Sequence, residues 1–440
     1  MSQLQPSTPS SGSEHTSRAW LTVVGAFFTF FCSVGFLNAF GVFQDYYQSH
    51  QLSGYSSFDI SWIGSFSTFA LFAGAPIAGV LVDRVEPTIL LTCGSLAMLA
   101  SIFMTSLCQE YYQFFLAQAV LLGASMSCLF CPAIATVSRY FHKNKGLAMG
   151  VTVGGSSAGG VIWPIVLDEF LNKNGVSFGW TIRIVGFIML PLLFLAVLTV
   201  IPPVGKTGDD YHHHRILTDE EKRNEIHEGV GAHEVPQEQA STQKQGPVSL
   251  LKNTTFIVLC LGLAISYLGM FSPFFYATSY AQSLGHSTSF AFYLVSIINA
   301  ASLVGRILPG VLADRYGHFN LCGSAALLSG VTAFCWTAAT SAGGLVVWCL
   351  AYGFTSGAIM SLQSACAAHL ASHELHGTAV GFLMGSVALT ALFGTPISGQ
   401  LVGSYGYLAL SMYAGASLVV GGLLIFVAQF NLGRKIFARQ

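Results

Sequence analysis

Twelve runs of about 20 apolar residues, enough for a helix to cross the hydrocarbon core of a bilayer, occupy most of this chain. They read as 20–43, 60–82, 88–108, 113–136, 146–168 and 181–201, then 254–280, 289–312, 319–339, 343–367, 377–400 and 406–430. Inside a bilayer no water satisfies a free backbone N–H or C=O, so such runs fold as helices. Only 8% of the 440 residues are charged, against roughly 25% in soluble domains. The expectation is an all-α membrane protein with twelve transmembrane helices. The first run reads as retained, because it follows a Ser/Pro-rich tail and lacks a small-residue cleavage pattern and a basic n-region beyond Arg18.

Lys and Arg accumulate in cytoplasmic loops. With the N-terminus inside, 15 of the 18 basic residues fall in inner segments and the outer loops hold Lys173. Both termini are therefore expected in the cytoplasm, with the plasma membrane as the location and a vacuolar or other internal membrane as the alternative. A net charge of -1 offers no field for nucleic acid, and none is expected as a partner. A lipid bilayer is the expected partner.

The chain divides into a cytoplasmic tail, 1–19, a six-helix bundle, 20–201, a polar linker, 202–253, a second bundle, 254–430, and a tail, 431–440. The ten cysteines lie in or near apolar runs, so neither a disulfide framework nor a zinc cage is expected. Cys128 and Cys131 read as buried small hydrophobes. His212 to His214 have no partner ligands that complete a metal site, and no metal or cofactor is expected. Thr218 to Glu221 can open a short helix with a capping box. Asn253-Thr254-Thr255 is a glycosylation sequon that the topology places in the cytoplasm, so it is expected to be unmodified.

The two bundles repeat each other. GVLVDR at 79–84 and GVLADRYG at 310–317 stand 231 residues apart, and the same shift aligns His142 with His373, Gly146 with Gly377, Gly150 with Gly381 and Gly154 with Gly385. Parallel six-helix halves related by an axis along the membrane normal are expected. Each D-R corner joins the second and third helices of its half, and Asp83 and Asp314 can serve helix N-termini nearby. One reading of Asp83, Arg84, Asp314 and Arg315 is a polar turn. The other is a latch between the halves that releases when they rock. Gly146, Gly150 and Gly154, with Gly155, Gly159 and Gly160 on the same run, serve either tight packing or movement.

FLNAFGVFQDYY, SWIGSFSTF, SRYFHKNKGLAMGVTVGGSSAGGVIWP, FGWTIRIVGF and NAASLVGRILPGVLADRYG resemble the fungal branch of the monocarboxylate transporter family, within the major facilitator superfamily. The resemblance runs from about 20 to 430, the linker apart. It implies a secondary active or facilitative transporter of a small organic solute by alternating access, with carboxylates, riboflavin and secondary metabolites among the cargoes. A solute sensor without flux is the alternative. An enzyme is not expected, because no run carries convergent His, Asp or Glu and no P-loop is present.

Arg306 is the sharpest candidate for substrate binding, since an arginine in a span is costly unless paired or facing a wet cavity. Its counterpart in the first half is Ala75, so the scaffold does not demand it. Asn299 and Ser302 share its helix face. A second reading has Arg306 snorkelling or pairing with Asp314. Animal lactate carriers hold a carboxylate four residues before this arginine and a lysine in the first span, where this chain has Ser302 and Asn38. With no acid in the middle of a span, a coupled proton falls to a peripheral residue such as Asp45 or is absent. The missing ion pair tilts the expectation toward a larger organic cargo, with uptake of an organic anion such as a carboxylate or of a vitamin, and export of a secondary metabolite, both open. Tyr267 and Tyr276, on a run broken by Pro273, together with Asn38, Gln118 and Gln363, are further polar or aromatic candidates. One chain holding both halves reads as a monomer.

Overall fold

The computed structural model describes residues 17–141, 144–173, 175–203, 247–372 and 375–432. His212 to His214, Thr218 to Glu221 and the outer parts of both tails lie outside the described residues. Among those described, ten helices are long and apolar enough to cross a membrane. In chain order they are α1 (Ser17–Ser49), α2 (Ser57–Arg84), α3 (Pro87–Thr105), α4 (Tyr111–Tyr140), α5 (Lys145–Asp168), α6 (Phe178–Thr199), α7 (Thr254–Ser283), α8 (Thr288–Tyr316) and α10 (Ala342–His369), followed by His376–Asn431. Between α8 and α10 stands α9 (His318–Phe334), apolar but only 17 residues long. The last helix has 56 residues and turns at Gly406, whose φ of 79° breaks it into two rods, 376–405 (α11) and 407–431 (α12).

Two of these helices are interrupted at related points. α1 loses regular geometry at Ser33 and again at Asn38 and Ala39. α7 breaks at Phe271, before Ser272-Pro273, because proline removes a donor and crowds the preceding turn. The 231-residue shift brings Ala39 onto Met270, so both halves break their first helix at one depth. Broken helices expose backbone only where protein or a cavity receives it. A further irregularity is the π-helical stretch Phe115–Leu121 inside α4.

Within the first half α5 packs on α1, α4 on α2 and α3, and α6 on α1 and α3. Within the second, α10 packs on α8 and α9, while α7 packs along the continuous α11 and α12. The halves meet along two seams, α2 against α11 and α5 against α8. Both seams run on glycine. A Cβ on Gly79 would collide with the Gly377 carbonyl, and a Cβ on Gly146 with that of Gly310, in symmetry-related places. Likewise Gly381 lies on the Ala75 backbone and Gly150 on the Arg306 backbone. Small residues let the helix backbones approach without interlocking side chains.

Several helices cap themselves. Ser56 and Asp59 form a capping box on α2, Asn253 caps α7, and Ser341 caps α10. α5 and α11 receive no side-chain cap from their own N-cap residues, Asn144 and Leu375.

Candidate functional site

The caps missing from α5 and α11 come from the opposite half. Asp314 at the end of α8 accepts from the Gly146 N–H at 2.6 Å and the Leu147 N–H at 3.0 Å. Asp83 at the end of α2 accepts from the Gly377 N–H at 3.1 Å and from the Thr378 N–H and hydroxyl at 2.6 and 2.8 Å. A carboxylate at a helix N-terminus satisfies orphan donors and meets the positive end of the dipole. Arg139 of α4 pairs with Asp83 at 3.0 Å, and His318 of α9 stands 3.3 Å from Asp314. Arg84 and Arg315 are exposed, Arg315 lying over the Tyr316 ring. The basic residue on the first corner is therefore Arg139, 56 residues away in sequence. Its counterpart in the second half is Leu370, a difference the 231-residue alignment could have flagged.

The glycines of α5 divide between two faces. Gly146, Gly150 and Gly154 face α8, through Gly310, Arg306 and Leu303. Gly155 and Gly159 face α1, through Phe27 and Phe31.

Arg306 lies on the α5–α8 seam and is 2% exposed. It does not pair with Asp314, which is taken up by α5. Its Nη1 donates to the Val153 carbonyl at 2.6 Å and to the Ser156 hydroxyl, both in the first half. Its Nη2 approaches the Met360 sulfur of α10 at 2.7 Å. Among the described residues no carboxylate is bonded to it, and its Nε has no hydrogen-bond partner. A buried guanidinium with neutral acceptors only is an expensive arrangement, and a buried polar atom without a partner adds its own desolvation cost.

Four other predicted residues gather around it. Asn38, in the break of α1, donates from Nδ2 to the Ser156 carbonyl at 3.3 Å. Asn299 bonds the Val295 carbonyl at 3.0 Å, leaves Oδ1 unpartnered, and meets Asn38 against Gly160. Gln363, one turn from Met360 on α10, donates to the Tyr267 hydroxyl at 2.8 Å, and its Oε1 is unpartnered. Tyr267 lies close enough to Arg306 to interact with its charge. Phe72 of α2 meets Tyr267 edge to face at 5.8 Å, and Phe271 meets it at 5.5 Å. The cluster thus joins α1, α2 and α5 of one half to α7, α8 and α10 of the other.

Two predicted residues stand apart from it. Ser302 is buried against Gly357 of α10, and Tyr276 packs its hydroxyl toward Gly399 of α11. The Asp45 side chain lies outside what is described. Ser156, Val153 and Met360 were not foreseen; a hydroxyl in the GGSS stretch was the only visible signal for them. Gln118 sits in the π-helical stretch and accepts from Tyr47 at 2.7 Å. Arg183 bonds Ser106 at 3.3 Å and stacks over Trp180, as an anchor would.

The cluster has the form of a central transport site: polar atoms from both halves at a closed seam, flanked by broken helices. Comparison with known proteins bears on the family and the fold. Residues 20–386 match the model of the Major Facilitator Superfamily. An MFS-type transporter of Aspergillus fumigatus is 48% identical over 420 residues, covering 96% of this chain and 94% of that one. The agnestins efflux protein of Paecilomyces divaricatus is also 48% identical over 420 residues, covering 95% and 89%. The crystal structure of the human organic anion transporter TETRAN aligns with a TM-score of 0.64 at 15% identity, over 95% of this chain and 100% of that one, a likeness of fold. This chain belongs to the Major Facilitator Superfamily and is a multi-pass membrane transporter of small organic solutes, not an enzyme.

Proposed function

We propose that this transporter exports an organic anion, a secondary metabolite bearing a carboxylate or a comparable acidic group, and that Arg306 receives the charged group. The observation that carries the reading is the burial of Arg306 between the halves without a counter-charge among the described residues. At the symmetry-related place Ala75 packs directly on Gly381, so an arginine is not required to close a seam. Asn38, Asn299, Gln363 and Tyr267 supply neutral hydrogen-bonding groups beside it, and Phe72, Tyr267 and Phe271 supply an aromatic wall. A relative named as an efflux protein supports the outward direction.

Twelve crossings follow when α9 is counted and His376–Asn431 is divided at Gly406. With the excess of Lys and Arg inside, both termini are cytoplasmic, at the plasma membrane. The closed seams at the Asp83 and Asp314 corners then shut the cytoplasmic side. The resemblance of those sequence stretches to the fungal monocarboxylate branch supports placing the chain there. The acids at the corners and helix ends leave the core without a relay of carboxylates, so transport runs without a proton carried through the Arg306 site. One chain holds both halves, which supports a monomer as the working unit.

The test is flux from proteoliposomes loaded with the extracted metabolites of producing cells, read by mass spectrometry with and without the protein. The expected result is release of an acidic compound without ATP, lost in Arg306→Ala protein that remains folded. Undiminished release of that compound by the Arg306→Ala protein would remove the assigned role.

A further inference from the structure

Arg306 belongs to the second half, yet its strongest hydrogen bonds are made to the first. Nη1 bonds the Val153 carbonyl and the Ser156 hydroxyl, so the guanidinium ties α8 to α5 across the seam. The tie lies between two other contacts of the same seam, Gly160 with Asn299 toward one end and Gly146 with Gly310 and Asp314 toward the other. Ser156 is itself fixed, its hydroxyl donating to Val153 at 2.9 Å and its carbonyl accepting from Asn38 at 3.3 Å. Carbonyl, hydroxyl and thioether are neutral acceptors for a group whose best acceptor is a carboxylate.

We propose that Val153 and Ser156 hold the place of the cargo's anionic head, and that an aromatic monocarboxylate bound at Arg306 displaces them and unfastens α5 from α8. This rests on the reading of Arg306 as the anion-binding residue and adds what the anion replaces and what its arrival does. A carboxylate takes two N–H groups of a guanidinium at once and bonds each more strongly than a neutral acceptor. The cargo therefore has a higher affinity for the unfastened, cytoplasm-open state than for the fastened one, so that return of Val153 and Ser156 to Arg306 releases it on the outer side. The body of the cargo is aromatic because Phe72 and Phe271 stand edge to face with Tyr267, the aromatic residue within reach of the Arg306 charge. A head that used Nε and Nη2 alone would leave the Ser156 tie intact, so Ser156 discriminates between the two modes.

The experiment uses the purified full-length chain in nanodiscs, with 2-naphthoate as probe and its uncharged amide, 2-naphthamide, as control. Thermal unfolding reports binding, and hydrogen exchange of residues 146–157 and 303–314 reports the seam. Naphthoate is expected to raise the melting temperature and speed exchange in both segments, and naphthamide to do neither. Ser156→Ala is expected to show faster seam exchange without probe and to bind naphthoate about tenfold more tightly, the effect of removing one hydrogen bond to a charged group from the competing state. Ser156→Asp supplies a resident carboxylate and is expected to slow seam exchange and lose the naphthoate response. Ser157→Ala, at a neighbouring buried hydroxyl with no hydrogen-bond partner among the described residues, is expected to match the wild type.

Wild-type affinity in Ser156→Ala, or unchanged seam exchange at saturating naphthoate, would overturn the proposal. A wild type that ignores naphthoate but moves another acid in proteoliposomes would overturn the aromatic monocarboxylate class and leave the transport reading standing. Binding and seam opening by naphthoate without flux of any solute would remove the transport reading and leave the displaceable tie.

Discussion

Asp83 accepts two hydrogen bonds from Thr378, one from its backbone N–H at 2.6 Å and one from its hydroxyl at 2.8 Å. The first turn of α11 is thus completed by α2 of the other half, as the first turn of α5 is completed by Asp314. Separating the halves at this end strips both helices of their caps, and bringing them together restores both. The corners are therefore parts of two helix ends, and their energy belongs to the closed arrangement alone.

The two corners are unequal, which makes a prediction. Arg139 and Asp83 are 15% and 5% exposed at their side chains, so Asp83→Asn leaves a largely buried arginine without its counter-charge as well as weakening the cap. Breaking such a pair costs more than the pair contributes, and about 2–3 kcal/mol is expected after allowing for Arg139 being partly wet. Asp314→Asn keeps one of the two acceptor oxygens and loses the other with the carboxylate charge at the α5 N-terminus, about 1 kcal/mol. Thermal unfolding of the two variants should rank them in that order. Hydrogen exchange should quicken at 376–380 in the first and at 145–149 in the second. Equal losses would mean that Arg139 contributes nothing.

The glycines of α5 separate movement from assembly. Gly150 abuts the Arg306 backbone across the seam, whereas Gly155 abuts the Phe27 carbonyl inside the first half. Gly150→Ala is expected to leave each bundle intact but hold the seam apart, shifting the resting population toward the open corner and speeding exchange at 303–310. Gly155→Ala is expected to force α1 from α5 in every conformation, lowering folded yield and melting temperature by an overpacking cost of about 1–3 kcal/mol. Size-exclusion profiles together with exchange would distinguish them, and identical behaviour would contradict the division of faces.

Asn253 offers a local test of the linker's far end. Its Oδ1 accepts from the Thr255 N–H at 3.0 Å and the Phe256 N–H at 3.4 Å, capping α7. Asn253→Asp should preserve stability and Asn253→Ala should cost about 1 kcal/mol, measured by thermal unfolding. Intact mass should show no glycan on Asn253, in keeping with a cytoplasmic position for the sequon. A glycosylated Asn253 would reverse the proposed orientation of the whole chain.

The fold was legible because its causes are periodic. Apolar runs of bilayer length mark helices wherever they occur, and the repeated corner gave the symmetry before any contact was known. The same holds for His376–Asn431, where Gly406, at a φ of 79°, divides the two expected spans 377–400 and 406–430. At the site, Arg306 stood out because a charge in an apolar run costs several kcal/mol and persists where a function requires it, and Asn38, Asn299, Gln363 and Tyr267 followed as polar groups in spans. Ser302 shared the face of Arg306 by spacing, yet that face is divided between α5 and α10, and the serine falls on the α10 side against Gly357. Ser156 and the Val153 carbonyl were invisible because their role comes from an inter-half approach, and a backbone carbonyl leaves no mark on sequence. Arg139 was read only as a cytoplasmic charge, since nothing local relates it to Asp83.

The pair Gln363 and Tyr267 tests whether the polar cluster acts as a unit. Gln363 donates to the Tyr267 hydroxyl at 2.8 Å, and both side chains are buried. Tyr267→Phe removes the acceptor and leaves the Gln363 amide with a buried unsatisfied donor beside its already unpartnered Oε1, a cost of about 1–3 kcal/mol. Gln363→Leu removes the amide and leaves only a tyrosine hydroxyl to be resatisfied. Combining the two should recover part of the first loss, because two apolar groups need no partner, giving a coupling of about 1 kcal/mol in thermal unfolding. Transport should behave differently. If these groups bond the cargo, the double variant regains stability without regaining flux, and its affinity for an anionic solute falls while Arg306 remains in place. Recovery of flux in step with stability would make the pair structural and confine cargo contact to Arg306 and its neighbours on α1 and α5.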